Sequence, residues 1–212
     1  MAGTAPKLTP QIITRVAGIW DRRKEYPMEN KEQNPLQLTA ADVEVGVLRV
    51  TDQGARLRLW AKPERVRAIL DELYQPDGWS LQFTTVAGKM CCALAASCMD
   101  DVGDIRAIAR AAMCPSEYRM CSDQARNEMD GSLIMAASFM GIGASVMELP
   151  SIPFRNNEVQ INPVPDASGK RIVRYDLADT LTPTNLVYDA SGHIVEVDFT
   201  RRNGGVIKWQ KR

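Results

Sequence analysis

Long apolar runs are missing from this sequence. The longest mainly apolar stretches are broken by Asp, Ser or Gly, so none reaches the roughly 18–20 residues that cross a bilayer as a helix, and the chain reads as soluble with no membrane partner. Histidine is nearly missing as well. His193 is the single one among 212 residues, which leaves little for acid–base work near neutral pH. Neither Gly-x-x-x-x-Gly-Lys-Ser/Thr nor Gly-x-Gly-x-x-Gly occurs, so the sequence offers neither the phosphate-cradling loop of a motor nor the dinucleotide fingerprint of a redox enzyme. Zinc spacing is absent too: Cys91 and Cys92 are adjacent, and Cys98, Cys114 and Cys121 make no Cys-x-x-Cys pair. The chain reads as a non-enzyme that needs no cofactor.

Net charge is also missing. Lys plus Arg equals Asp plus Glu at 26 each, so the whole molecule exerts no long-range pull on a polyanion, and any attraction must come from clustering. The bases do cluster. Arg49, Arg56, Arg58, Lys62, Arg65 and Arg67 lie close together, and Arg201, Arg202, Lys208, Lys211 and Arg212 crowd the end. Five cysteines behind a start, Met-Ala-Gly-Thr-Ala-Pro-Lys, that lacks a signal peptide's apolar core read as buried free thiols in a reducing cytoplasm.

What is present is enough to fold: 45% apolar residues can bury one core in a chain of this length. Pro10 to Arg23, with Ile12, Ile13, Val16, Ile19 and Trp20 at helical spacing, predicts a short amphipathic helix. The polar stretch from Lys24 to Gln37 reads as a linker. Residues 1–38 therefore form a helix and linker, and residues 39–212 the folded body.

Val43, Val45 and Val47 alternate up to Val50, Thr51-Asp52-Gln53-Gly54 supplies a turn, and Ala55 to Trp60 alternates again, a hairpin pattern. With Leu57 and Leu59 inward, Arg56, Arg58 and Trp60 share the opposite face. Pro63, then Val66, Ile69, Leu70 and Leu73, mark an amphipathic helix ending near Tyr74. Trp79–Val86 and Met90–Ala96 read as a second hairpin about Ala87-Gly88-Lys89. From Asp104 to Met147 the pattern is mostly helical, with a stripe of Ile105, Ile108, Ala109 and Ala112, a break near Pro115, and a long stretch from Gln124 to Met140 that Gly141-Ile142-Gly143 ends. Strands at Arg171–Tyr175, Asn185–Tyr188, His193–Thr200 and Val206–Trp209 predict a C-terminal antiparallel meander.

The order hairpin, helix, Gln75-Pro-Asp-Gly-Trp79, hairpin, Asp100-Asp-Val-Gly103, and a long helix closing in Ala136-Ala-Ser-Phe-Met-Gly-Ile-Gly143 resembles the Rad52-type single-strand DNA annealing proteins, especially phage and prophage members. Val173-Arg-Tyr-Asp176 and Tyr188-Asp-Ala-Ser-Gly192 are similar to the tail of those members. The resemblance covers most of residues 40–212. It implies an α+β fold with a Rad52-like β-β-β-α core, an antiparallel sheet, a long helix and C-terminal antiparallel strands. It further implies ATP-independent binding and annealing of single-stranded DNA in recombination or repair, by a homo-oligomeric ring or filament in the cytoplasm of a bacterium or phage-infected cell. A host or phage single-strand-binding protein or exonuclease fits as a further partner.

On that reading the DNA-binding set is Arg49, Arg56, Arg58, Trp60, Lys62, Arg65 and Lys89: guanidinium and ammonium groups for phosphates, and an indole on which a base stacks. The plainer alternative is an ordinary solvated strand face for Arg56, Arg58 and Trp60, a surface salt bridge for Arg49 with Glu44 as a candidate partner, and a solubilising charge for each of Lys62, Arg65 and Lys89. The sequence also departs from the family. Ile134-Met135 stands where relatives carry Lys-Arg, and Phe139 occupies another commonly basic position. A second reading follows, an oligomeric structural or interaction protein of the same fold that has lost efficient annealing.

Overall fold

The structure is a computed structural model and describes residues 36–99 and 105–211. The helix read at Pro10–Arg23 and the Asp100–Gly103 stretch lie outside the described residues. The residues from Pro35 onward make one compact unit. It is an α+β unit with few helices, and every strand pairing among the described residues is antiparallel.

The first hairpin forms as its alternation requires. Strand β1 (Val43–Thr51) pairs with β2 (Gly54–Ala61), and β6 (Ile152–Arg155) adds to the other side of β2, giving the order β1-β2-β6. One face of this sheet is core: Ala55, Leu57, Leu59, Ile152 and Phe154 are all buried. Helix α1 (Pro63–Tyr74) begins with Pro63 in its first turn and buries Val66, Ile69 and Leu70, as its i, i+3, i+4 spacing dictates. Leu73, the next residue of that stripe, is exposed.

A second sheet, β3-β4-β5, joins β3 (Trp79–Val86), β4 (Lys89–Met99) and β5 (Ile105–Met113) without a break in register. Here the structure corrects the sequence reading. Residues 105–113 are a strand, not the first part of a helical region. The stripe Ile105, Ile108, Ala109, Ala112 satisfies helical spacing, but pairing along nine positions of β4 overrides a weak local preference.

Helix α2 (Gln124–Ser138) lies against β4 and β5 and is capped by Asp123, whose carboxylate accepts from the Arg126 N–H at 3.1 Å. It is buried on most sides, and Gly131 explains how: a Cβ there would sit 2.5 Å from Cys114 Sγ and 2.9 Å from the Tyr118 ring. Ile134 is in the core and Met135 packs against it. Arg67 ties α1 to α2 through Asp130 Oδ1 at 3.2 Å. The helix gives out after Ser138, and a short α3 (Ala144–Glu148) follows Gly141 and Gly143, both at positive φ.

The C-terminal part also differs in pairing. β9 (Leu181–Tyr188), β10 (Ile194–Arg201) and β11 (Val206–Gln210) form the expected meander, but β8 (Ile172–Leu177) pairs with the unread strand β7 (Ile161–Pro165) instead. The prolines of β7 hid it from an alternation search. Of the thiols, Cys92 is buried while Cys121 is exposed, which limits the buried-thiol reading to part of the set. Burial pushes Cys92 and Cys114 up to about 11, Cys92 also by its neighbour Cys91 and Cys114 by Glu128 and Glu117.

Candidate nucleic-acid interface

The seven residues singled out from sequence fall into three groups. Arg49 and Arg56 come together. Strict alternation from Val43 would put Arg49 on the core face with Val45 and Val47, opposite Ala55. The ladder instead slips by one residue between Val47 and Arg49, so that Arg49 opposes Arg56 and Val50 opposes Ala55. One extra residue in β1 thus turns the Arg49 side chain to the Arg56 face. Both arginines are exposed.

A third guanidinium completes the group. Arg155 lies on β6 opposite Gly54, and Pro153 lies opposite Arg56, so the two-residue period brings Arg155 to the same face. Arg49, Arg56 and Arg155 line one shallow groove of about 600 Å³ together with Gln53, Asp52 and Pro153. None of the three guanidinium groups has a hydrogen bond or ion pair with another described residue. Like charges directly opposite across a ladder are unfavourable by about a few tenths of a kcal/mol; Asp52 lines the same groove without pairing with any of the three. The signal for Arg155 was present in sequence: Ile152-Pro-Phe-Arg155 alternates inward and outward, but four residues are short for a strand.

Arg58, Trp60, Lys62 and Arg65 form the second group, and the protein itself uses them. Trp60 does share the Arg56 and Arg58 face, but it is fully buried. The Tyr118 ring meets it edge-on at 5.2 Å, and the Arg58 guanidinium stacks on it at 4.8 Å. Gly46 passes so close that a Cβ would lie 2.5 Å from Trp60 Nε1. No face of the indole is open to a base. Arg58 also donates to the Met147 carbonyl at 2.9 Å. Lys62 donates to the Ala41 carbonyl at 2.6 Å, and Arg65 pairs with Glu72 at 2.7 Å and Asp42 at 3.3 Å.

Around Trp60 the polar groups are strained by burial. Desolvation, followed by the charge of Glu64, holds the Glu44 carboxyl above its ordinary value, and its Oε1 accepts from Tyr118 Oη at 3.4 Å. Burial likewise pushes the Tyr118 phenol up.

Lys89 stands alone in the third group. It is exposed at the β3–β4 turn and borders a separate groove of about 550 Å³ at the start of α2, with Arg119, Ser116 and Gln124. That groove also contains Glu128, and it sets two cations against one carboxylate where the arginine groove sets three against Asp52. Among the described residues no group of three or more His, Cys, Asp or Glu side chains could hold a metal ion, and no helix is long and apolar enough to cross a membrane. A scan against protein-family models and a search of the curated proteins each found no match.

Proposed function

We propose that this chain binds single-stranded DNA through Arg49, Arg56 and Arg155 and anneals it to a complementary strand without ATP, acting as a self-assembled particle. The observation that carries the reading is three exposed guanidinium groups, one from each of three adjacent strands, sharing one face and forming no ion pair with a described carboxylate. A row of cations running across strands fits a chain of phosphates, which supplies most of the affinity in binding that ignores base sequence. With Trp60 buried, stacking contributes nothing at this face, so the bases stay free to pair.

The fold supports the reading without naming it. Three consecutive antiparallel strands, β3 to β5, are followed by the long helix α2 packed on them, the order expected of a Rad52-like β-β-β-α core. The second reading, an assembling protein that has lost annealing, draws on a different observation: Ile134 lies in the core, and Arg58, Lys62 and Arg65 are engaged within the protein.

The test compares the parent chain with Arg49→Ala/Arg56→Ala/Arg155→Ala for retention of an oligonucleotide in a gel and for annealing of two complementary oligonucleotides. The proposal expects both to fall together while the thermal melt is unchanged. Equal retention by the two proteins would remove this face from the claim.

A further inference from the structure

We infer that two copies of this chain join through β3, edge to edge and antiparallel about a two-fold axis at Gln82, making one six-stranded sheet. The inference gives the self-assembly proposed above a surface and a symmetry; it rests on that part of the reading and makes no use of the arginine face.

Strand β3 is the unguarded edge of the described structure. Soluble proteins protect exposed strand edges with charged side chains, prolines or bulges, because a row of free N–H and C=O groups will pair with any extended chain. Every other edge carries such a device. β1 is bulged, β6 holds Pro153, β7 holds Pro163 and Pro165, β8 has Arg174 and Asp176, β9 holds Pro183, and β11 has Lys208. The far edge of the same sheet, β5, carries Arg106 and Arg110, and Arg110 folds back to donate to the Ala109 carbonyl at 2.9 Å. β3, Trp-Ser-Leu-Gln-Phe-Thr-Thr-Val, has no charge, no proline and no bulge over eight residues.

The backbone fixes which groups are free. Ser97 N–H donates to the Gly78 carbonyl at 2.8 Å, one step before the Trp79–Ala96 pair of the ladder. In an antiparallel pair the bonded positions alternate. The even-numbered residues of β3 therefore bond to β4, and Trp79, Leu81, Phe83 and Thr85 turn their N–H and C=O outward.

Those four residues match a second copy of themselves. About Gln82, Leu81 falls opposite Phe83 of the second copy and Trp79 opposite Thr85, each at a bonded position. Ser80 falls opposite Thr84 on the outer face. Every outward N–H and C=O finds its complement, and Gln82 meets its own counterpart at a non-bonded position. On the helix-facing side Leu81 and Phe83 are only partly buried although they pack against the core, and apposition of Leu81 with Phe83 across the axis finishes that burial. A charged strand could satisfy the backbone but would set charge against the apolar Leu81 and Phe83, whereas a second copy meets both, so the occupant is a second copy.

The experiment uses the full chain. Sedimentation at micromolar concentration should show a dimer or an even multiple, and Gln82→Lys, which sets two ammonium groups face to face at the axis, should halve the mass while the circular-dichroism spectrum of the folded chain stays the same, since Gln82 is exposed. With Cys91 and Cys121 replaced by Ser, Gln82→Cys should give a covalent dimer on oxidation, because a non-bonded antiparallel pair brings the Cα atoms to about 4.5 Å, within disulfide reach. Ser80→Cys, whose counterpart lies well beyond that reach, should not. A monomeric parent chain, an assembly indifferent to Gln82→Lys, or equal cross-linking by both cysteine variants would overturn the inference. An assembly through β3 that fails to retain oligonucleotide would count against the nucleic-acid proposal alone, and a monomer that retains it would count against the interface alone.

Discussion

Trp60 shows how one side chain can satisfy a pattern and still have a different role. Its place two residues after Arg58 put it on the arginine face, and the ladder keeps it there. Tyr118 and Met120, from the segment between β5 and α2, then cover that end of the face, and no local periodicity carries information about a segment some sixty residues away. Trp60 is therefore core. Trp60→Ala should lower unfolding stability by about 3–5 kcal/mol in a denaturant titration, whereas Trp60→Phe, if folded, should bind oligonucleotide as the parent does. A selective loss of binding in Trp60→Phe would return the indole to the interface. Glu44 beside it gives a pH-dependent prediction. Its folded-state carboxyl is raised by burial above the ordinary value of 4.5, so the folded form holds that proton more tightly. Its contribution to stability is present below about pH 4.5 and is lost as pH rises through the raised value. Glu44→Gln should consequently be more stable than the parent at neutral pH, with the difference closing on acidification. A variant less stable at pH 7 would show that the Tyr118 contact outweighs desolvation.

At the scale of elements, the sequence displayed most clearly those whose pattern had one interpretation. The β1–β2 hairpin alternates about a turn, α1 has a proline start and one apolar stripe, and the β3–β4 hairpin turns at Ala87 and Gly88, both at positive φ. β5 was hidden because its side chains, Ile-Arg-Ala-Ile-Ala-Arg-Ala-Ala-Met, put Ile and Ala on both faces of a strand, two arginines among them, and also fit a helix. The slip in β1 was invisible for a related reason: alternation predicts faces only while register holds, and the one-residue excess at Leu48 shows itself solely through the partner strand. That slip is what makes Arg49 and Arg56 neighbours. The approach of β1 to β2 farther along depends on Gly46, which leaves room for the indole. Gly46→Ala should shift the strand and lower stability by about 1–3 kcal/mol, read as a drop in the denaturation midpoint. An unchanged midpoint would mean that Trp60 moves aside freely.

For the molecule as a whole, balanced charge sets the terms. With equal numbers of acids and bases, nothing steers a polyanion from a distance, and affinity must arise where cations stand without partners. Seven residues named from sequence reduce to a cross-strand pair, joined by Arg155 from a strand that sequence did not mark. The rest of the basic cluster near residues 58–67 holds β2, α1 and α2 in place. A binding face this local has a definite ionic signature. Each phosphate neutralised on single-stranded DNA contributes about 0.7 to the slope of log affinity against log salt. The most direct measurement is therefore the affinity of a fluorescent single-stranded oligonucleotide across a salt series, for the parent chain and for Arg49→Ala/Arg56→Ala/Arg155→Ala. The account predicts measurable binding at low salt for the parent chain and a slope shallower by about 2 in the variant. Identical slopes, or no binding by the parent chain at low salt, would contradict it.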